Sequence, residues 1–491
     1  MQRTTKRAGN DGRSWAAYRM NCATKGASWT RESQSGVTWG DMGRPGKIGV
    51  LMLGWEFPPH ITGGLGVACH GMLSGLKRID RTDVCFAMPS LSGDEDVRLA
   101  RFVAVFHSEN RPCFGRHPKA GVPSLPWISD GGPASGEMDP VMAASLSTAM
   151  HPKEFEVYRS EVALTYSGRK EGTIQERFLR AYLRNVIRPA MSYADGIEGV
   201  LAQAGIVDLV HAHDWFTYIA AVRAKFITGK PLIAHVHSTE LDRAENVDRT
   251  NRDLCASIYA IERFGFEKAD RIVAVSDYTR DVIVKHYGIP SGKVVTVHNG
   301  LHFGEQNACG RRITEAATVV FIGRVTYQKG PMCFVETATK VLKSCPSVSF
   351  VIAGAGDQLN AVKRRVSQLG LENKFLFTGF LSASDVRKLL EKATVYVMPS
   401  VSEPFGISAL EALAANVPIV ISKQSGVREV VPSATAVDAW DTDGFAAAIE
   451  MLIAKPNLAA QLVQRCRREV RRLSWNNSAK RMLEVYESLA K

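Results

Sequence analysis

The sequence predicts an α/β protein built from two doubly wound parallel sheets. Three observations carry that prediction. Short apolar runs such as Ile48–Leu53 (IGVLML) and Val395–Met398 (VYVM) read as strands buried on both faces, the signature of parallel rather than one-sided antiparallel sheets. Each run leads through a Gly- or Pro-bearing turn into good helix formers, so strand and helix alternate along both halves of the chain. Polar residues gather where the runs end, which is the edge at which open α/β sheets bind ligands. With 491 residues and 45% hydrophobic content, the chain is long enough for two full cores.

Residues 1–46 are polar, rich in Gly, Ser and Arg, and show no sustained period; they read as a disordered basic extension. No apolar h-region follows the basic start, so no signal peptide is expected. The first domain is expected over residues 47–305. Ile48–Leu53 opens it, and Gly63, Gly64 and Gly66 form a loop that starts a helix running to about Leu76. Glycines there let a ligand come close to the backbone, although a turn needing positive φ explains them nearly as well. Val84–Met88 is the next strand. Residues 106–160, rich in Pro, Gly and Ser, read as long loops of the active face or as insertions. Glu176–Ala204 reads as a long helical stretch. Strands Asp208–His213, Leu232–Val236, Arg271–Ser276 and Val294–Val297 follow, with Asp214, His237 and Asn299 at their ends.

Residues 301–317 form the best linker, and the second domain is expected over 306–474. Its strands are Val319–Ile322, Phe350–Ala353, Phe375–Thr378, Val395–Met398 and Pro418–Ser422. Helices are expected from about Asp443 onward. The last, within 475–491, is amphipathic and is expected to pack back across the first domain.

Charge and cysteine content exclude several classes. Of the net +12, residues 1–46 carry eight Lys/Arg against three acids, and residues 464–481 carry seven against one, leaving the body nearly neutral. No basic stripe is interleaved with aromatics, so nucleic acid is not an expected partner. The basic segment 464–481 can touch an anionic membrane surface or acceptor, although a solvated helix face is the commoner meaning of such a run. No apolar stretch approaches the roughly twenty residues of a membrane span. The nine cysteines show neither a CxxC nor a metal-ligand spacing, which suits buried thiols in a reducing, cytoplasmic compartment.

The chemistry centres on Tyr396–Glu411, YVMPSVSEPFGISALE. Glu403 falls on a strand-to-helix turn, and Glu411 about two turns inside the helix that Gly406 opens. Amides near Gly406 and Ile407 would point out of that helix N-terminus, a place that suits phosphate. An ordinary βα turn with a capping acid is the plain alternative. Upstream, Arg324 and Lys329 lie in the loop after the first strand of the second half. A guanidinium fork and an ammonium beside a helix start suit a diphosphate, and Glu411 could take a ribose diol. Together they describe a nucleoside diphosphate site. The histidines at the strand ends read as structural, and Asp214 could equally cap the helix after it.

These motifs carry a resemblance. The segments GWEFPPHITGGLG (54–66), HAHDW (211–215), HVHSTE (235–240), EKADRIVAVS (267–276), HNG (298–300), GRVTYQKG (323–330), AGAGD (353–357) and EPFGISALE (403–411) resemble, in order, the retaining GT-B glycosyltransferases of family 4. That group includes the glycogen and starch synthases. The resemblance implies two Rossmann-like domains facing across a cleft, with a nucleotide-sugar held mainly by the second. It implies that Arg324 and Lys329, with Gly64, Gly406 and Ile407, hold the donor diphosphate. Glu411, Gly356 and Leu381 would border the ribose and base, while Glu403, His237 and Asp214 would face the sugars. It implies no metal and no cofactor beyond the donor, a saccharide acceptor, and transfer of a hexose, glucose in the glucan-synthase-like branch, with retention. A lipid or cell-envelope acceptor, a phosphorylase, a nucleotide-sugar epimerase and a non-catalytic glycan-binding module are the alternatives. One departure stands out. Glycogen synthases carry Lys-x-Gly-Gly-Leu, whereas Ile61 and Thr62 precede the glycines here, which separates this chain from a strict glycogen-synthase pattern.

Overall fold

The computed structural model describes residues 46–61, 63–106, 189–243, 252–301 and 317–490. The extension expected over 1–46, apart from Gly46, most of the loops or insertions expected over 106–160, the first part of the helix expected over 176–204, Thr62 and most of the linker expected over 301–317 lie outside the described residues.

The first lobe is a seven-stranded sheet in the order β3-β2-β1-β4-β5-β6-β7. Its strands are β1 (Ile48–Leu53), β2 (Thr82–Met88), β3 (Arg101–Ala104), β4 (Leu209–His213), β5 (Leu232–Val236), β6 (Arg271–Ala274) and β7 (Val294–Thr296). Every pair is parallel. Helix α1 (Gly64–Ile79) follows β1 and α2 (Ile197–Ala204) precedes β4. Then come α3 (Trp215–Thr228), the short α4 (Glu240–Arg243), α5 (Arg252–Lys268) and α6 (Asp277–Tyr287).

The second lobe repeats the plan with six parallel strands in the order β10-β9-β8-β11-β12-β13. These are β8 (Thr318–Ile322), β9 (Ser349–Ala353), β10 (Phe375–Gly379), β11 (Val395–Met398), β12 (Ile419–Ser422) and β13 (Thr435–Val437). Its helices are α7 (Pro331–Ser344), α8 (Leu359–Gln368), α9 (Ala383–Lys392), α10 (Ile407–Ala414), α11 (Val427–Val430), α12 (Thr442–Ala454) and α13 (Pro456–Glu469). The strands are short and almost wholly apolar because helices cover both faces. Edge strands β3 and β13 are not among the predicted strands: with one or both faces half exposed, Arg101–Ala104 and Thr435–Val437 lack the continuous apolar signal.

The last helix, α14 (Trp475–Leu489), lies on the first lobe against α1. Two glycines of α1 make room for it. A Cβ on Gly71 would stand 2.1 Å from the Trp475 ring, and one on Gly75 would stand 2.4 Å from the Trp475 carbonyl. Trp475, Ala479, Met482 and Tyr486 of α14 thereby join Leu65, Met72 and Phe86 in one buried layer. The basic segment 464–481 is not one helix. It spans the end of α13, a 3-10 turn at Val470–Arg472 and the first turns of α14, with Val470, Trp475 and Ala479 buried. No helix among the described residues is long and apolar enough to cross a membrane.

Candidate active site

Each sheet reverses its winding once, between β1 and β4 in the first lobe and between β8 and β11 in the second. Such switch points open a crevice at the carboxyl ends of the strands. Most of the residues singled out in the sequence follow strands at or next to these two places; Leu381 follows the edge strand β10.

On the first-lobe side, α1 begins at Gly64 without a side-chain cap, and Glu56 Oε1 takes the Gly66 amide at 2.8 Å. A Cβ on Gly64 would stand 4.0 Å from Ile407 Cδ1, so the start of α1 and the start of α10 face each other. Asp214, after β4, does not cap α3 with its side chain. Its Oδ1 instead accepts the amides of His237 (2.7 Å) and Ser238 (3.4 Å). The backbone of Asp214, at φ 57° and ψ 169°, borders a region otherwise used almost only by glycine, a strain on the order of 1–3 kcal/mol. Burial pushes its carboxyl up to about 6, against the pull of Arg243, the two amides and Arg324.

Four histidines stack behind Asp214. His211 Nδ1 meets the Tyr486 hydroxyl at 2.6 Å and its Nε2 meets His235 Nδ1 at 3.1 Å. His213 Nδ1 meets His237 Nε2 at 2.8 Å. Burial pulls all four below the ordinary imidazole value, His211 and His237 to about 3, so they are neutral. His211, His213 and His235 offer nitrogens within 4.8 Å of one another. Among the described residues, the buried Nε2 atoms of His213 and His235 have no hydrogen-bond partner.

On the second-lobe side, Arg324 follows β8 and Lys329 ends a 3-10 turn at Tyr327–Lys329. Gly330 then turns in the left-handed region, with the Pro399 carbonyl 2.1 Å from where its Cβ would be, which draws this loop onto the one after β11. Lys329 Nζ lies 2.6 Å from Glu403 Oε2, and Ser400 Oγ donates to the same oxygen at 3.1 Å. The Glu403 backbone is held as well: its amide donates to the Gln424 carbonyl and its carbonyl accepts from the Gly426 amide. Glu403 is 5% exposed. Burial and the nearby Arg243 lower the Arg324 guanidinium, while Glu403, Glu56 and Asp214 act the other way; the group stays cationic. Those neighbours come from both lobes, which places Arg324 at their junction.

Gly406 opens α10 at φ 103° and offers no side-chain cap, leaving the helix N-terminus facing Gly64. The helix starts at Ile407 as expected, and Glu411, four residues on, lies about one turn inside it rather than two. Burial pushes its carboxyl up to about 7. Among the described residues no ion pair joins it to Arg324 or Lys329; its carboxylate, like that of Glu403, bears on the Tyr396 hydroxyl. Gly356 and Leu381 sit in the loops after β9 and β10, one strand and two strands from β8. A Cβ on Gly356 would stand 2.3 Å from the Val325 carbonyl, so that loop is laid directly against the Arg324 loop.

Sequence reasoning missed Glu56, Arg243, Asp242 and Ser402. Arg243 donates to Glu240 Oε2 (3.1 Å) and to the Ser238 carbonyl (3.0 Å), with Glu262 Oε1 at 3.8 Å. Burial pushes Glu262 up to about 8 despite Arg243. Only the acidic and basic residues crowding 237–243 hinted at this network.

Paired cations beside a buried carboxylate, with two helix N-termini facing between parallel α/β sheets, can bind and polarise a diphosphate. A molecule of this plan is a glycosyltransferase of the GT-B fold. The chain belongs to the family described as glycosyl transferases group 1, whose model matches residues 306–469, and the model of glycosyltransferase family 4 matches residues 147–303. It is 31% identical over 310 residues to an alpha-maltose-1-phosphate synthase of Mycolicibacterium smegmatis, covering 57% of this chain and 79% of that protein. It is 25% identical to a glycogen synthase of Mycobacterium tuberculosis, over 89% of this chain and 94% of the relative. An uncharacterized glycosyltransferase of Methanocaldococcus jannaschii is also 25% identical, over 89% and 97%. Among solved structures, the sucrose-phosphate synthase of Thermosynechococcus elongatus shares the fold with a TM-score of 0.65 at 16% identity, covering 90% of this chain and 99% of that one. HepE of Anabaena, solved in complex with UDP and glucose, does so with a TM-score of 0.58 at 14% identity, over 90% and 100%.

Proposed function

We propose that the protein transfers a hexose, glucose by the kinship with glucan-forming relatives, from a nucleoside diphosphate sugar to a saccharide hydroxyl with retention at the anomeric carbon. The observation that carries this reading is the Lys329–Glu403 pair at 2.6 Å, set at a switch point beside Arg324 and the start of α10. Breaking the sugar–phosphate bond builds negative charge on the diphosphate. Arg324, Lys329 and the amides at the starts of α1 and α10 are placed to meet that charge without reorganising. Glu403, fixed through its backbone and side chain, faces the electron-poor sugar. Asp214 and His237 bound the sugar from the first lobe, and Glu411 serves the ribose, with Gly356 and Leu381 nearer the base. Closure of the lobes would exclude water and so limit hydrolysis of the donor. The UDP complex of HepE supports a nucleoside diphosphate in such a cleft. The glycogen synthase and maltose-1-phosphate synthase relatives support a glucosyl group and a saccharide acceptor. No metal ion is part of this reading, since side-chain cations and amides supply the charge.

The test is a screen of UDP-, ADP- and GDP-sugars, read as nucleotide release with and without a glucan. Lys329→Ala and Glu403→Ala should each lower transfer by about 10²–10³-fold with the fold intact. Wild-type rates in either variant would refute the assignment.

A further inference from the structure

A line of hydrogen bonds crosses from the first lobe to the turn that carries Glu403. Asp214 Oδ1 holds the amides of His237 and Ser238. The next residue, Thr239, gives its amide (2.7 Å) and its hydroxyl (2.9 Å) to Asp242 Oδ2. The other oxygen of Asp242 accepts from Ser402 Oγ at 2.6 Å, in the second lobe. Tyr278, in the first turn of α6, brings its hydroxyl to Ser402 Oγ at 2.9 Å. On the far side of Glu403, the Pro404 carbonyl accepts from Ser276 Oγ (2.5 Å) and Thr279 Oγ1 (3.3 Å). First-lobe side chains therefore grip both neighbours of Glu403. Asp242 is 4% exposed, and a hydroxyl-to-carboxylate bond shielded from water is among the stronger ones.

We propose that Asp242 and Ser402 are positioning residues that lock the Asp214–Thr239 turn of one lobe to the Glu403 turn of the other, so that the two halves of the site come into register only when the lobes meet. Ser402 engages Asp242 and Tyr278 with its single hydroxyl, so its task is placement rather than ligand contact. Asp242 is spent on Thr239 and Ser402 in the same way. The inference rests on the role given above to Glu403. A displacement of about 1 Å at a reacting group is enough to cost on the order of 10²-fold in rate.

Ser402→Ala removes the shared hydroxyl and leaves Lys329 and Ser400 on Glu403. In the full chain we expect kcat to fall about 10–100-fold while the Kd for the free nucleoside diphosphate stays within about threefold. Ser402→Thr, which keeps a hydroxyl, should recover most of the rate. Tyr278→Phe, which removes one bond of the two, should show a smaller loss. Amide hydrogen exchange over residues 399–406 should quicken in Ser402→Ala whatever the activity. Three results overturn the proposal: a kcat within about twofold of wild type, a nucleotide Kd that worsens in step with kcat, or unchanged exchange in that segment. A wild-type chain that turns over no nucleoside diphosphate sugar would instead remove the functional reading, and the exchange experiment would still decide whether the lobes hold this turn.

Discussion

Two buried residues of the site titrate in opposite senses, and each makes a prediction. His211 is fully buried, and its value near 3 lies far below the unfolded one, so the folded state admits only the neutral ring. Its contribution is fully present above the unfolded value of about 6.5 and is lost as pH falls from there towards 3. Between pH 6.5 and 4.5 the His211 share of stability should therefore drop, and His211→Asn should lower the slope of stability against pH by about 1.4 kcal/mol per pH unit relative to wild type, read from urea midpoints. Asp214 goes the other way. Its value near 6 lies above the unfolded carboxylate value, so the cost of ionising it in the fold is absent at low pH, grows as pH rises to about 6, and is constant beyond. Asp214→Asn removes that cost. It should stabilise the protein by about 1–3 kcal/mol at pH 7 while lowering transfer, the usual trade at a strained functional residue. A variant both weaker and fully active would contradict the role given to this carboxylate.

At the scale of elements, the helix pair α1 and α14 depends on absent side chains. Ala is the better helix former, so Gly71→Ala or Gly75→Ala would strengthen an isolated α1 by about 0.5–1 kcal/mol. In the protein each new methyl would meet Trp475 at under 2.5 Å, and for Gly75 the obstacle is backbone. We expect a net loss of about 1–3 kcal/mol in either variant, measured by chemical denaturation. Neutral or stabilising alanines would mean that α14 is free to shift. The strands were the most legible elements: β1, β5 and β11 span the residues their apolar runs mark out, because burial on both faces keeps them almost wholly apolar, His235 of β5 being the exception. Edge strands β3 and β13 carry too few buried residues to register. The starts of α1 and α10 were marked by glycines, and both helices begin there.

At the scale of the molecule, the part of the candidate site that was legible in the sequence is the part adjacent to strand ends. Arg324, Lys329, Glu403 and Asp214 stand in the loops that follow β8, β11 and β4, where topology alone puts them. The bonds between lobes were not legible, since Ser402 and Asp242 lie 160 positions apart and neither carries a local motif. The same holds for α14, which supplies part of the layer under β1, β2, β4 and β5. A chain ending at Ser474 should therefore lose ordered structure across the first lobe, far more than one helix's worth. Near-ultraviolet circular dichroism and dye binding to exposed apolar surface would show it, and a well-folded first lobe would rule it out. The order of synthesis adds a consequence. His211 waits for Tyr486, made 275 residues later, so on the ribosome the leading half must idle with an apolar flank open until the trailing end emerges. The first lobe is thus closed by a helix made after it, and a chain stopped before that helix leaves an apolar flank uncovered.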